Sequence, residues 1–277
     1  MSHFTVLVIG KELDELLDVM APYDENLEVP EYVAMTLEQA REERLKQIAR
    51  YEKYLEFPDE YDIERVERRI KELKNTDDKD YFTSQTKFYE EHDEEGNPVT
   101  TTNPNGYWDW WSVGGRWAGY FRLKDGKTGE KGDPGIFVDE KAVADPTRCD
   151  SALFGDIDWE AIRIAHLEEL KDWWKRVAEE VEEKALCGKE AENYRNMRFD
   201  GDYKTEEEYV DANKDKWNVF YAAVTPDGEW HWAGKMGWFG QSNTTPDESD
   251  KWDREFWGRF LKDMDPDTRL TVLDCHI

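Results

Sequence analysis

Few residues of this chain suit proton transfer or metal binding, and their placement is uneven. The five histidines are His3, His92, His166, His231 and His276. His276 follows Asp274 by two residues, so on a strand both side chains project from one face. His3 heads a β-favouring run, Phe4 to Ile9, at the other end of the sequence. If the two terminal strands pair, His3, Asp274, His276 and the adjacent Cys275 come within reach of one another. Such a group suits a metal or general acid–base role. His231 is a second candidate. It stands between Trp230 and Trp232, beside Glu229, and on a strand it points away from both indoles.

No HExxH, GxSxG, P-loop or GxGxxG pattern accompanies these residues, and the single glycine of VIGKEL makes no dinucleotide loop. The plainer expectation is a terminal strand with incidental polar residues. His3, His231, Asp274 and His276 are therefore candidates only; no metal or cofactor is assigned, and a non-enzymatic role is favoured. His166 falls on the apolar stripe of a helix, where a histidine is more often a hydrogen-bonded core residue than a ligand.

A different chemistry is offered by tryptophan, glycine and arginine. Eight of the 13 tryptophans fall in two windows, Trp108, Trp110, Trp111 and Trp117, then Trp217, Trp230, Trp232 and Trp238. GGRWAGYF (Gly114 to Phe121) and AGKMGWFG (Ala233 to Gly240) share an order of glycine, cation, large apolar residue, glycine and two aromatics, with one gap. They read as related elements of a pseudo-repeated sheet. Glycine lets main chain approach another surface closely, and Arg116 offers a planar fork for a carboxylate or phosphate. The expected ligand-binding set is Trp108, Asp109, Trp110, Arg116 and Trp117, with Trp232, Lys235 and Trp238 opposite. The alternative is that Gly-Gly marks a β-bulge, the rings are core and Arg116 pairs with Asp109.

The elements that must hold these residues read as follows. Phe4 to Ile9 is a buried strand, and KELDELLDVM a short helix ended by Pro22. A second short strand is expected within Asn26 to Met35. Thr36-Leu37-Glu38-Gln39 has the form of a capping box and opens a helix with Leu45, Ile48, Ala49 and Leu55 at helical spacing. Pro58 breaks it, and Ile63, Val66, Ile70 and Leu73 mark a second helix, so residues 36–75 form a charged helical hairpin. Residues 92–106 are turn-rich, and Cys149 to Phe154 is irregular. Asp158 caps a long helix with its stripe from Trp159 to Val181, and Thr205 opens a short one. Trp217 to Val224, a Thr-Pro-Asp-Gly turn and Glu229 to Trp232 make a hairpin. Thr245-Pro246-Asp247-Glu248 starts another helix, and Leu270 to Leu273 is the last strand. This order implies an α+β fold, with an antiparallel or mixed sheet holding both terminal strands, backed by helices. One domain over residues 1–277 is expected, with the 36–75 hairpin inserted in it.

Net charge is -28, from 65 acidic and 37 basic side chains. That field repels nucleic acids and anionic membranes, so neither is expected as a direct partner. Its plain meaning is solubility. Adaptation to a salty cytoplasm is opposed by the many lysines, and a third meaning is an acidic surface that fits the basic groove of a nucleic-acid-binding protein. The 38 aromatic residues, 13 Trp, 13 Tyr and 12 Phe, argue for a folded chain. Cys149, Cys187 and Cys275 form no CxxC pair, which points to a reducing compartment. The opening apolar run is too short for a signal segment, and a cytoplasmic location is expected.

MSHFTVLVIG at the start, NPNGYWDWWSVGGRW in the middle and LTVLDCHI at the end resemble a family of uncharacterised proteins encoded by bacteriophages and prophages. The resemblance implies expression inside an infected bacterium, as an accessory protein that blunts host defences. The functional expectation is thus a binding protein that inhibits or sequesters a host protein or a small anionic ligand. The alternatives are a hydrolase or nucleotide-modifying enzyme using the histidines, and a virion structural protein. No oligomeric state follows from the sequence.

Overall fold

The computed structural model describes residues 2–55, 62–199, 201–236, 242 and 244–277. The opening run forms β1 (His3–Ile9), followed by a 3-10 turn and the short helix α1 (Leu16–Met20). Next come β2 (Glu28–Val33), α2 (Leu37–Tyr54), α3 (Ile63–Asn75), α4 (Asp78–Thr86) and β3 (Val99–Thr102). The aromatic and glycine-rich segment supplies β4 (Trp110–Gly115) and β5 (Phe121–Arg122). β6 (Asp133–Pro134), α5 (Glu140–Ala144), β7 (Arg148–Cys149) and β8 (Ser151–Leu153) lead into α6 (Trp159–Glu183). After α7 (Gly188–Phe199) and α8 (Glu206–Asn213), β9 (Ala222–Val224) and β10 (Trp230–Trp232) form a hairpin. α9 (Pro246–Phe256) runs on into a π-helical turn, Trp257–Leu261, and β11 (Arg269–His276) is the last element. The fold is α+β.

The chain packs as two compact units, Met1–Glu25 with Asn105–Ile277, and Asn26–Pro104. The first holds a mixed sheet of seven strands in the order β10-β9-β1-β11-β4-β6, with β8 also on β11. β1 and β11 lie side by side, antiparallel, from His3 opposite His276 to Ile9 opposite Leu270. β9 is parallel to β1, and β6 to β4. One edge of β11 is shared: β8 takes Arg269 to Thr271, and β4 takes Leu273 to His276.

Alternation along these strands builds two cores. Leu7, Ile9, Leu270 and Val272 face one side, where α6 and α9 add Ile162, Trp252 and Phe256. Phe4, Val6, Val8, Leu273 and Cys275 face the other, covered by Leu16 and Met20 of α1 and by Trp108. Asp158 caps α6 by accepting from the Ala161 N–H. His166 on that helix bonds the Asn213 carbonyl through Nε2 at 3.0 Å.

In the second unit, Thr36 and Gln39 close a reciprocal capping box, and Asp62 caps α3. Ala40, Ile48, Leu73 and Tyr81 form its core, while Leu45 remains 51% exposed because the hairpin buries a narrower stripe than its apolar spacing suggests. Arg44 donates through Nη1 to the Leu73 and Thr76 carbonyls, both at 2.8 Å, and reaches Asp78 through Nη2, tying α2 to the junction of α3 and α4. The turn-rich stretch 92–106 contains β3, which pairs with β2. Pro58 lies outside the described residues. Among the described residues, no helix is long and apolar enough to cross a membrane.

Candidate functional site

The pairing of β1 with β11, and of β11 with β4, decides what meets at one end of the sheet. His3, His276 and Trp110 form one row across the three strands, and Thr5, Asp274 and Ser112 the next. Both rows lie on the face that carries Leu7 and Val272 further along, so the aliphatic core gives way to polar groups at this end. His3 Nδ1 is 2.8 Å from Asp274 Oδ1, and His276 Nδ1 is 2.5 Å from Asp109 Oδ1. The two imidazole centroids are 5.0 Å apart and nearly perpendicular, at 73°. Trp110 stacks on His276 at 5.7 Å and 14°, meets His3 edge-on at 5.5 Å, and is 44% exposed.

Each carboxylate is itself held. Asp274, 1% exposed, accepts the Arg116 backbone N–H on Oδ2 at 2.9 Å while Oδ1 faces His3. Asp109 is anchored through its own backbone N–H, which donates to the His276 carbonyl at 2.9 Å. Glu25 completes the anionic surroundings; burial first, then Asp109 and Asp24, raise its pKa above the usual carboxylate range. Cys275 alternates to the opposite face, fully buried, and burial pushes its thiol pKa well up, so it takes no part in the group.

The glycine pair positions Asp274. Gly115 has φ +52°, and a Cβ there would stand 2.5 Å from Asp274 Oδ2 and 2.8 Å from its Cγ. Gly114, at φ +76°, would place a Cβ 2.7 Å from the carboxylate of Asp150. Asp150 is also 1% exposed and accepts from the backbone N–H groups of Gly119 at 2.5 Å and Gly132 at 2.8 Å. Burial raises its pKa, and those two N–H groups partly offset the rise. The bare main chain thus cradles two of the protein's own carboxylates.

The remaining sequence candidates are spread out. Trp108 and Trp232 pack in the core on the far face of the sheet, where Trp232 lies 4.2 Å from Tyr107 and Lys235 Nζ sits 5.9 Å from the same ring. Trp117 packs against the core on the near face. The Arg116 guanidinium lies 5.9 Å from the Phe137 ring, with Nε buried and unpartnered among the described residues, while Asp109 serves His276. His231 bonds Arg259 through Nδ1 at 3.1 Å. Its register opposite Ala223 places it four residues along β1 and two strands across from His3, roughly 16 Å away. Trp238 and the second half of the proposed repeat, 237–240, lie outside the described residues.

No family model, curated protein or solved structure matches the chain.

Among the described residues, no group of three or more His, Cys, Asp or Glu side chains is placed to hold a metal ion. The geometry instead gives two imidazoles, each fixed by a carboxylate at Nδ1. A neutral imidazole that donates from Nδ1 keeps an Nε2 lone pair that can accept a proton. Asp109 is the member that the sequence did not offer in this role; its only signal was its place directly before a strand that carries Trp110.

Proposed function

We propose that the chain is a general acid–base catalyst, a hydrolase or nucleotide-modifying enzyme, centred on His3 and His276. The observation that carries this reading is the pair of carboxylate-held imidazoles with centroids 5.0 Å apart. With one ring neutral and the other protonated, Nε2 of the first takes a proton from water or a hydroxyl. Nε2 of the second returns one to the leaving group. Asp274 and Asp109 orient the rings through their Nδ1 contacts. Trp110 offers a flat, half-exposed surface on which a substrate ring stacks beside the pair.

His3→Gln and His276→Gln test the reading. Turnover of p-nitrophenyl acetate, bis(p-nitrophenyl) phosphate and a panel of nucleotides should fall about 10²-fold or more in each variant, with the unfolding curve retained. Nitrogen NMR of the imidazoles tests the orientation without any substrate: both neutral rings should carry the proton on Nδ1. A ring protonated on Nε2 alone, or variants as active as the parent, would refute the assignment.

A second reading, a binding protein that inhibits or sequesters a host protein, draws its support from the net charge of -28. It places the chain in the cytoplasm of an infected bacterium, as the phage resemblance implies. The partner version predicts capture of a basic, nucleic-acid-binding protein from bacterial lysate that is lost at high salt.

A further inference from the structure

We infer a second site, distinct from the histidine pair, that binds a small zwitterion carrying a free carboxylate and a free ammonium group, as an α-amino acid does. A cleft of about 590 Å³ opens between the start of α6 and the junction of α9 with the π-helical turn. Arg163 lines it. Its guanidinium carbon stands 4.7 Å from the Trp257 ring and 5.3 Å from the Trp217 ring, and those rings are themselves 5.6 Å apart, so the cation lies against two adjoining indoles. Arg163 Nε is buried without a hydrogen-bond partner, and among the described residues no carboxylate forms an ion pair with this side chain. A partly desolvated guanidinium with unused donors is complementary to a planar anion, which it can grip with two N–H groups.

The surroundings select among anions. The other cations on the cleft are engaged: Lys214 with Asp211 at 2.5 Å, and Arg254 with Asp250 at 3.4 Å. Three acids, Glu160, Asp215 and Asp253, also line the wall. A dianion such as phosphate would meet more negative than uncommitted positive charge. A single carboxylate on Arg163, joined to an ammonium that faces the acids, meets both signs. Asp253 is the best-placed acceptor for that ammonium because it is the most poorly solvated of the three; burial pushes its carboxyl up to about 6 despite Lys216 nearby. Ile164, 47% exposed, and Leu167 give the cleft an apolar wall for an aliphatic side chain.

The experiment is calorimetric titration of the intact protein with L-leucine, N-acetyl-L-leucine and L-leucinamide, followed in parallel by tryptophan emission. Leucine should bind and perturb the emission of Trp217 and Trp257. The acetylated compound, without an ammonium, and the amide, without a carboxylate, should each bind about tenfold or more weakly. Arg163→Met and Asp253→Asn should each reproduce that loss. His276→Gln should leave leucine binding unchanged, which separates this site from the catalytic one. If Arg163→Met fails to fold, the two modified ligands still decide the matter on the parent protein. Equal binding of all three compounds, or no heat and no emission change with any of the twenty amino acids, overturns the inference.

Discussion

Substituting Gly115 by alanine isolates what the glycine pair does for the site. The backbone φ of +52° costs an alanine about 1–2 kcal/mol. The new Cβ would also lie 2.5 Å from Asp274 Oδ2 and 2.8 Å from its Cγ, inside any ordinary contact distance. Asp274 has no room to retreat: it is 1% exposed and fixed by His3 and by the Arg116 N–H. Overpacking of this kind adds about 1–3 kcal/mol, for a total of about 2–5 kcal/mol. Gly126→Ala is the control, because Gly126 has φ +74° but nothing within 4 Å of the added Cβ, so it should lose only the conformational part. All 13 tryptophans lie between Trp108 and Trp257, within the unit that holds the sheet. Urea unfolding followed by tryptophan emission therefore reports that unit alone. Equal losses for the two variants would refute the claim that Asp274 is clamped against bare main chain.

Other outcomes follow from the same structure. Asp150→Asn must turn an NH₂ toward either the Gly119 or the Gly132 N–H, and should destabilise the sheet unit by about 1–3 kcal/mol in the same urea assay. Asp274→Asn leaves a single oxygen where His3 and the Arg116 N–H each used one, and should lower turnover about 10³-fold or more while leaving His276 in its Nδ1–H form by NMR. Asp253 keeps its proton in the folded state up to about 6, above the ordinary carboxylate range. Between about pH 4 and 6 the folded chain holds that proton while the unfolded chain has lost it, so stability falls as pH rises, by about 1–2 kcal/mol after solvent screening of this partly exposed carboxyl. Asp253→Asn should lack this decline, and a pH-independent difference between variant and parent in urea melts would count against it. Leu73→Ala should weaken the helical unit by about 2–5 kcal/mol, seen by circular dichroism at 222 nm, with no change in tryptophan emission.

Where the local chemistry was one-sided, sequence and structure agree. The β-branched run Phe4 to Ile9, the Thr36 and Thr245 capping boxes, Asp158 before α6 and the Thr-Pro-Asp-Gly turn each admit few conformations, and each forms as expected. The meeting of His3 with Asp274 and His276 follows from two strands and their two-residue period. α7 shows why other elements escaped: its sequence has little amphipathic pattern, and Phe199 is held by stacking on Trp174 at 4.6 Å and by Tyr209 at 4.7 Å. β5 to β8 are two or three residues long and exist through their cross-strand partners alone. The role of Gly114 and Gly115 depended on Asp150 and Asp274, which lie 35 or more positions away in sequence. Nothing local distinguishes a glycine that admits a guest from one that admits a distant side chain of its own protein.

The alternation along β11 has a consequence for how the sheet finds its alignment. Sliding that strand by one position would thrust Asp274 and His276 into an oily layer with no counter-charge, and strand the Leu273 and Cys275 side chains beside Asp109 and Trp110. An unpaired carboxylate in such a layer is costlier than a lost methylene by several kcal/mol. The polar pair therefore acts as a pin between neighbouring strands and disfavours the misaligned sheet.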